Sequence, residues 1–320
     1  MHIPDGFLDG KTATTAAALS AVGVGLALRQ VRRELPPRRI PLLGLSAAFL
    51  FAAQMVNFPV AGGTSGHLVG GVLVAALLGP SAAIIVLAAV LIVQCFLFAD
   101  GGVSALGANL FNMGMLGAGS GYLVYRLVSS RLRGLRGQVT GVAFGGWIAT
   151  VLAAIGCAGE LAWSHTITWA VAFPMMAGVH MVIGIGEGLI SALAFVAIAR
   201  TRPEIVAERT SASGGTVPSG TLRYGLLVAL GLAVFVAPFA CPWPDGLESV
   251  AAKLGFEGRG ASAIVHAPVP DYRLPGIHSA AGATALAGAL GTVVVFGLAL
   301  LLGRILVRKP VRESTKDPSC

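Results

Sequence analysis

PSAAIIVLAAVLIVQCFLF, residues 80–98, runs its whole length without a charged side chain. At 1.5 Å per residue, a helix of this length comes close to spanning the ~30 Å hydrocarbon layer of a bilayer. Comparable stretches recur at about 12–29, 41–57, 103–126, 138–158, 168–199, 222–241 and 280–303, and a shorter one, 67–79, opens at His67. The 320-residue chain is 55% hydrophobic and only 11% charged, against about 25% charged in soluble domains, and this excludes a soluble fold. Its 44 glycines suit helices that approach closely through small side chains. The reading is an all-α integral membrane protein with about nine transmembrane helices.

Placing residue 1 outside, and counting 67–79 as a crossing, puts the connections 29–40, 126–137, 200–222 and 304–320 on the cytoplasmic side. Of the 22 Lys and Arg residues, only Lys11, Lys253, Arg259 and Arg273 then lie outside, as the positive-inside rule requires. Omitting the 67–79 crossing reverses every later loop and spoils the bias. The formal charge of +8 therefore reports topology, not nucleic-acid binding. Outside lie Asp5, Asp9, Asp100, Glu160, Asp245, Glu248, Glu257 and Asp271, a field that attracts cations. The predicted organisation is a seven-span body over 1–202, a cytoplasmic linker at 203–220, and a two-span appendage over 221–320 with an extracytoplasmic loop at 242–279. Segment 1–11 has no basic n-region and carries two aspartates, so it reads as a retained N-terminus outside, with the C-terminus cytoplasmic. Four cysteines at 95, 157, 241 and 320 show no metal or disulfide spacing.

His2 behind a free α-amine offers three nitrogen donors in one plane: the Met1 amine, the His2 amide nitrogen once deprotonated, and the nearer imidazole nitrogen. These close a five-membered and a six-membered chelate ring and leave a fourth corner vacant. Square-planar nitrogen sites suit Ni(II) or Cu(II), and Pro4 biases Ile3 toward an extended backbone. His67, after Gly62, Gly63 and Gly66, is the candidate for the fourth corner. Taken singly, His2 is equally an accident of the terminus and His67 a hydrogen-bonded residue at a helix start; the outer acids and the retained N-terminus favour the joint metal reading. Asn57, Asn109 and Asn112, with Gln54, are polar groups in apolar spans, where they are costly unless paired. They read either as interhelical hydrogen bonds or as supports that fix the arm and His67. Asn109 and Asn112, three apart, are predicted to share a helix face. His180 and Glu187 lie two turns apart on another helix, beside the Gly184/Gly188 pair. Asp245, Glu248, Asp271, His266 and His278 in the loop read as helix caps and turns before metal collectors. Gly63-Thr64-Ser65-Gly66 satisfies a GxSG pattern, which makes a rhomboid-like intramembrane serine protease one rival; a passive metal channel is another. There is no P-loop, since Asp5 stands where GxxxxGK[ST] needs glycine.

MHIPDGFL (1–8), GGTSGHL (62–68) and FADGGVSALGANLFNM (98–113) resemble the CbiM/NikM family over about 1–200. CPWPDGLE (241–248) and PDYRLPG (270–276) resemble the NikN or CbiN partner, so the chain resembles a natural fusion of the two. The resemblance implies the substrate-binding membrane component of a nickel or cobalt energy-coupling-factor (ECF) transporter. It also implies a transmembrane coupling protein (NikQ/CbiQ-like) and two ATPase subunits (NikO/CbiO-like) as partners. The metal ligands it implies are Met1, His2 and His67; Asn57, Ser65, Asn109 and Asn112 are candidate supports read from the residues themselves. Nickel or cobalt is then the transported substrate, no organic cofactor is implied, and the planar nitrogen set favours nickel.

Overall fold

The computed structural model describes residues 2–207, 219–261 and 264–307. Met1, most of the 203–220 linker and the basic tail from Arg308 onward lie outside the described residues. The chain is almost wholly helical. α1 (Gly10–Glu34) starts at Asp9, whose carboxylate accepts the Thr12 N–H at 2.7 Å. α2 (Ile40–Gln54) leads to an antiparallel hairpin, β1 (Phe58–Val60) and β2 (Thr64–Gly66), with Pro59 opposite Ser65. α3 (Gly71–Leu78) and α4 (Pro80–Phe98) follow. α5 (Leu106–Leu110) passes through a π-helical stretch, Phe111–Gly119, into α6 (Ser120–Arg131). α7 (Gly134–Trp163), α8 (Trp169–Thr201) and the short α9 (Pro203–Ala207) complete the first part. Beyond the linker come α10 (Ser219–Gly231), α11 (Gly246–Leu254) and α12 (Ala280–Leu306).

Each predicted stretch falls on helix, but the count of nine crossings is not reproduced. Among the described residues, length and apolarity single out six spans: α1, α4, α7, α8, residues 220–239 and α12. The 67–79 stretch shrinks to the eight-residue α3, about 12 Å long at 1.5 Å per residue and too short to cross alone. Its eight residues are all buried, so it is enclosed by protein, where irregular backbone at membrane depth, such as the non-helical residues before it, is tolerated.

Small residues set the helix contacts. Between α7 and α8, a Cβ on Gly188 would come within 2.4 Å of the Ala143 carbonyl oxygen. On the same α8 face, a Cβ on Gly184 would lie 2.7 Å from the Trp147 ring. The appendage packs on the body in the same manner: a Cβ on Gly291 of α12 would overlap the Phe51 ring of α2 at 2.1 Å. α11 of the loop rests against α8 and β2, where the Ser65 N–H donates to the Pro244 carbonyl at 2.8 Å. The loop thus covers one end of the body, and the N-terminal arm lies beneath it.

Candidate metal centre

Pro4 and Gly6 (φ +90°) keep residues 2–8 out of helix, and the segment lies as an arm in the loop between α4 and α5. Ile3 is fully buried, in a cluster with Phe7, Ala108, Leu161 and Met176. Its N–H donates to Asn109 Oδ1 at 2.7 Å, and its carbonyl accepts from Asn109 Nδ2 at 3.1 Å and from the Gly102 N–H at 2.9 Å. Two glycines make this approach possible: Gly101 takes φ +89°, and a Cβ on Gly102 would sit 2.2 Å from the Asp5 nitrogen. Asp5 Oδ1 accepts from Ser104 N at 2.8 Å and Ser104 Oγ at 2.6 Å. Burial pushes the Asp5 carboxyl up, but the Ser104 and Ile264 donors outweigh it and hold the group below the usual aspartate range. The loop closes over the arm from the other side, with the Ala261 N–H on the Asp5 carbonyl at 2.9 Å.

This docking delivers His2 to His67. The two imidazoles stack with ring centroids 5.3 Å apart and planes 15° from parallel. They border a cavity of about 460 Å3 shared with Asp100, Asp245 and Glu248. His2 Nδ1 lies 3.1 Å from Asp100 Oδ1, and Tyr272 of the loop donates to Asp100 Oδ2 at 2.5 Å. Burial lowers the His2 pKa further than the Asp100 charge raises it, so the contact is a neutral Nδ1–H donating to a carboxylate. His2 Nε2 is then buried with no hydrogen bond of full geometry among the described residues, and the Gln94 side chain acts on the ring from nearby. Nδ1 is the atom that the chelate read from the sequence requires, so chelation must displace Asp100 from it.

The supports sort differently from the sequence reading. Asn109 grips the arm directly. Asn112 donates instead to Glu160 of α7 at 2.6 Å; the helix widens to π geometry at Phe111, which breaks the predicted shared face. Ser65 donates to the Trp243 carbonyl at 2.7 Å and so ties β2 to the loop. The Asn57 carbonyl accepts from Cys241 N at 2.9 Å, while its side chain borders the large cavity. Gln54 donates to the Val69 carbonyl at 3.1 Å and accepts from Gln94 at 2.9 Å. His180 and Glu187 do not pair. The buried Glu187 carboxylate accepts from Val69 N at 2.6 Å and Gly70 N at 3.0 Å, and so fixes the turn after His67 at the start of α3. Asp245 and Glu248 form a capping box at α11. The roles of Asp100, Tyr272, Glu187 and Gly102 were not legible in sequence, because each depends on a contact between distant segments.

Comparison with known proteins gives two family matches. Residues 2–205 match the model for the cobalt uptake substrate-specific transmembrane region, CbiM, and residues 219–308 match the PDGLE domain. The chain is 38% identical to a putative fused nickel transport protein NikMN of Archaeoglobus fulgidus, over 95% of this chain and 98% of that one. It is 30% identical to the fused nickel transport protein NikMN of Rhodobacter capsulatus, over 97% and 99%. It is 31% identical to a putative cobalt transport protein CbiM of Methanococcus voltae, over 67% and 98%. Among solved structures, a truncated transition metal transporter superposes with a TM-score of 0.58 at 33% identity, covering 63% of this chain and 99% of that chain.

Proposed function

Since the chain belongs to the CbiM family of cobalt-uptake substrate-specific membrane proteins, with a PDGLE domain fused behind it, we propose that it binds Ni(II), with Co(II) as the alternative, and is the substrate-specific component of an ATP-driven ECF importer. It is a multi-pass membrane protein and a transport protein, not an enzyme. The observation that carries the reading is the docked arm: Asn109, Gly102 and Asp5 hold residues 2–5 so that the His2 imidazole stacks on His67. In this reading Met1 supplies the amine, His2 its amide and ring nitrogens, and His67 the fourth donor. Planar nitrogen coordination favours nickel; copper would bind more tightly still, so metal availability shares in selection.

Binding displaces Asp100 from His2 Nδ1, and the carboxylate remains beside the site as counter-charge. Because ligand nitrogens must lose protons, affinity falls as pH drops through the amine range, about 8, while the His2 ring, lowered by burial, competes only below the ordinary imidazole value. The N-terminus lies outside, the C-terminus inside, and a coupling protein with two ATPase subunits supplies the inward turn. The test is nickel uptake by vesicles containing this chain with and without those three partner subunits. The proposal requires uptake to depend on ATP hydrolysis; equal uptake without the partners would make the chain a passive channel. A rhomboid-like role for Ser65 has no support in its surroundings: its hydroxyl donates to the Trp243 carbonyl and the His180 ring to that of Met176.

A further inference from the structure

His180 lies on α8 with 2% of its surface exposed. Its Nδ1 is 2.8 Å from the Met176 carbonyl oxygen. A carbonyl only accepts, so Nδ1 carries the hydrogen and Nε2 presents a lone pair. That Nε2 is buried with no hydrogen-bond partner among the described residues. It borders a small cavity of about 20 Å3, also lined by His67, Asp245, Gly246, Met113 and Thr150, with room for one water-sized occupant. Gly246, first residue of α11, keeps this space open, since a Cβ there would lie 2.7 Å from His180 Nε2. A bare imidazole nitrogen in such a place is costly unless something fills it. An imidazole whose other N–H is fixed on a backbone carbonyl is also the arrangement in which histidine ligates metals.

We propose that this cavity is a second station for the transported divalent cation, with His180 Nε2 its main ligand and His67 shared with the N-terminal site. The inference rests on the reading above that the cargo is a transition metal. His67 borders both the large cavity beside His2 and the small one beside His180, so an ion leaving the chelate can exchange the arm for His180 without losing His67. Asp245, whose Oδ1 caps α11 through the Leu247 and Glu248 N–H groups, places a negative charge at the same cavity. The sharing of His67 makes the two positions mutually exclusive.

The test uses the full-length chain with one residue added before Met1, which abolishes the amine chelate, titrated with Co(II) and read by its visible absorption. The proposal expects one bound cobalt, with affinity at least about tenfold weaker in His180→Gln, as for loss of a group that fixes a metal. Gly246→Ala puts a Cβ 2.7 Å from His180 Nε2, so it takes the space beside Nε2 or pushes the ring out of it, and it is expected to weaken binding in the same way should His180→Gln fold poorly. With the unextended N-terminus, His180→Gln keeps nickel affinity within about twofold, because His180 is not among the donors of the N-terminal chelate. If the extended chain binds no cobalt, or binds it equally in both variants, the cavity holds only water and the proposal is overturned. Failure of the N-terminal site shows itself separately, as loss of nickel binding by the unextended parent.

Discussion

Asn109→Ala removes both side-chain hydrogen bonds to Ile3, the residue that follows His2. The Ile3 carbonyl keeps the Gly102 N–H at 2.9 Å, but its own N–H loses the acceptor at 2.7 Å. Ile3 is 0% exposed, so water cannot take the place of Asn109 while the arm stays docked. An unsatisfied buried donor costs about 1–3 kcal/mol, and at about 1.4 kcal/mol per factor of ten this is roughly 5-fold to 150-fold in the docking equilibrium. Because His2 reaches His67 only when the arm is docked, nickel affinity is expected to fall by the same factor once docking limits binding. Competition with a chromophoric chelator measures that affinity, and the rate of amine labelling at the N-terminus reports undocking. Nickel binding within about twofold of the parent, with labelling unchanged, would refute the account, since distant independent changes alter affinity by no more than that.

Three further outcomes are expected. Gly102→Ala places a Cβ 2.2 Å from the Asp5 nitrogen, so the arm is displaced and nickel binding is lost while the helical content measured by circular dichroism is retained. The Asp5 carboxyl is held below its ordinary value of 3.8. A depressed folded pKa contributes stability above 3.8 that is lost as pH falls through the folded value, so thermal stability followed from pH 6 to pH 3 drops at the acid end, and Asp5→Asn flattens that drop. Asp245→Ala removes the α11 cap, a loss of about 0.5–2 kcal/mol. It is expected to raise hydrogen exchange in 246–254 above that in α4, and equal exchange in the two segments would disprove a local effect.

The spans were readable because period and composition are local properties: the uncharged run at 80–98 is α4 to the residue. Of the 67–79 stretch only Gly71–Leu78 is helix, because apolarity alone cannot distinguish a full-length crossing helix from a short one buried on every side. At the site, the residue types of the arm and of GGTSGHL pointed to His2 and His67, which the fold brings within stacking distance. Asn109 and Asn112 looked alike in sequence, and the π-helical turn at Phe111 sends one to the arm and the other to Glu160. Asp100 read only as an outer acid, since its hold on His2 depends on a tertiary contact across 98 residues of chain. Tyr272 was hidden for the same reason, reaching Asp100 from the loop between α11 and α12. Glu187 stood in the sequence only as a polar residue two turns from His180, and its two oxygens accept from the Val69 and Gly70 N–H groups ahead of α3.

The central claim is that the chain's own N-terminus chelates the metal, and one comparison tests it most directly. The purified full-length chain beginning at Met1 is loaded with nickel beside a version carrying one extra residue before Met1, and metal content and optical spectrum are recorded for both. The account predicts about one nickel with a diamagnetic, square-planar spectrum in the first and no such species in the second. The same spectrum and stoichiometry in both chains would contradict it.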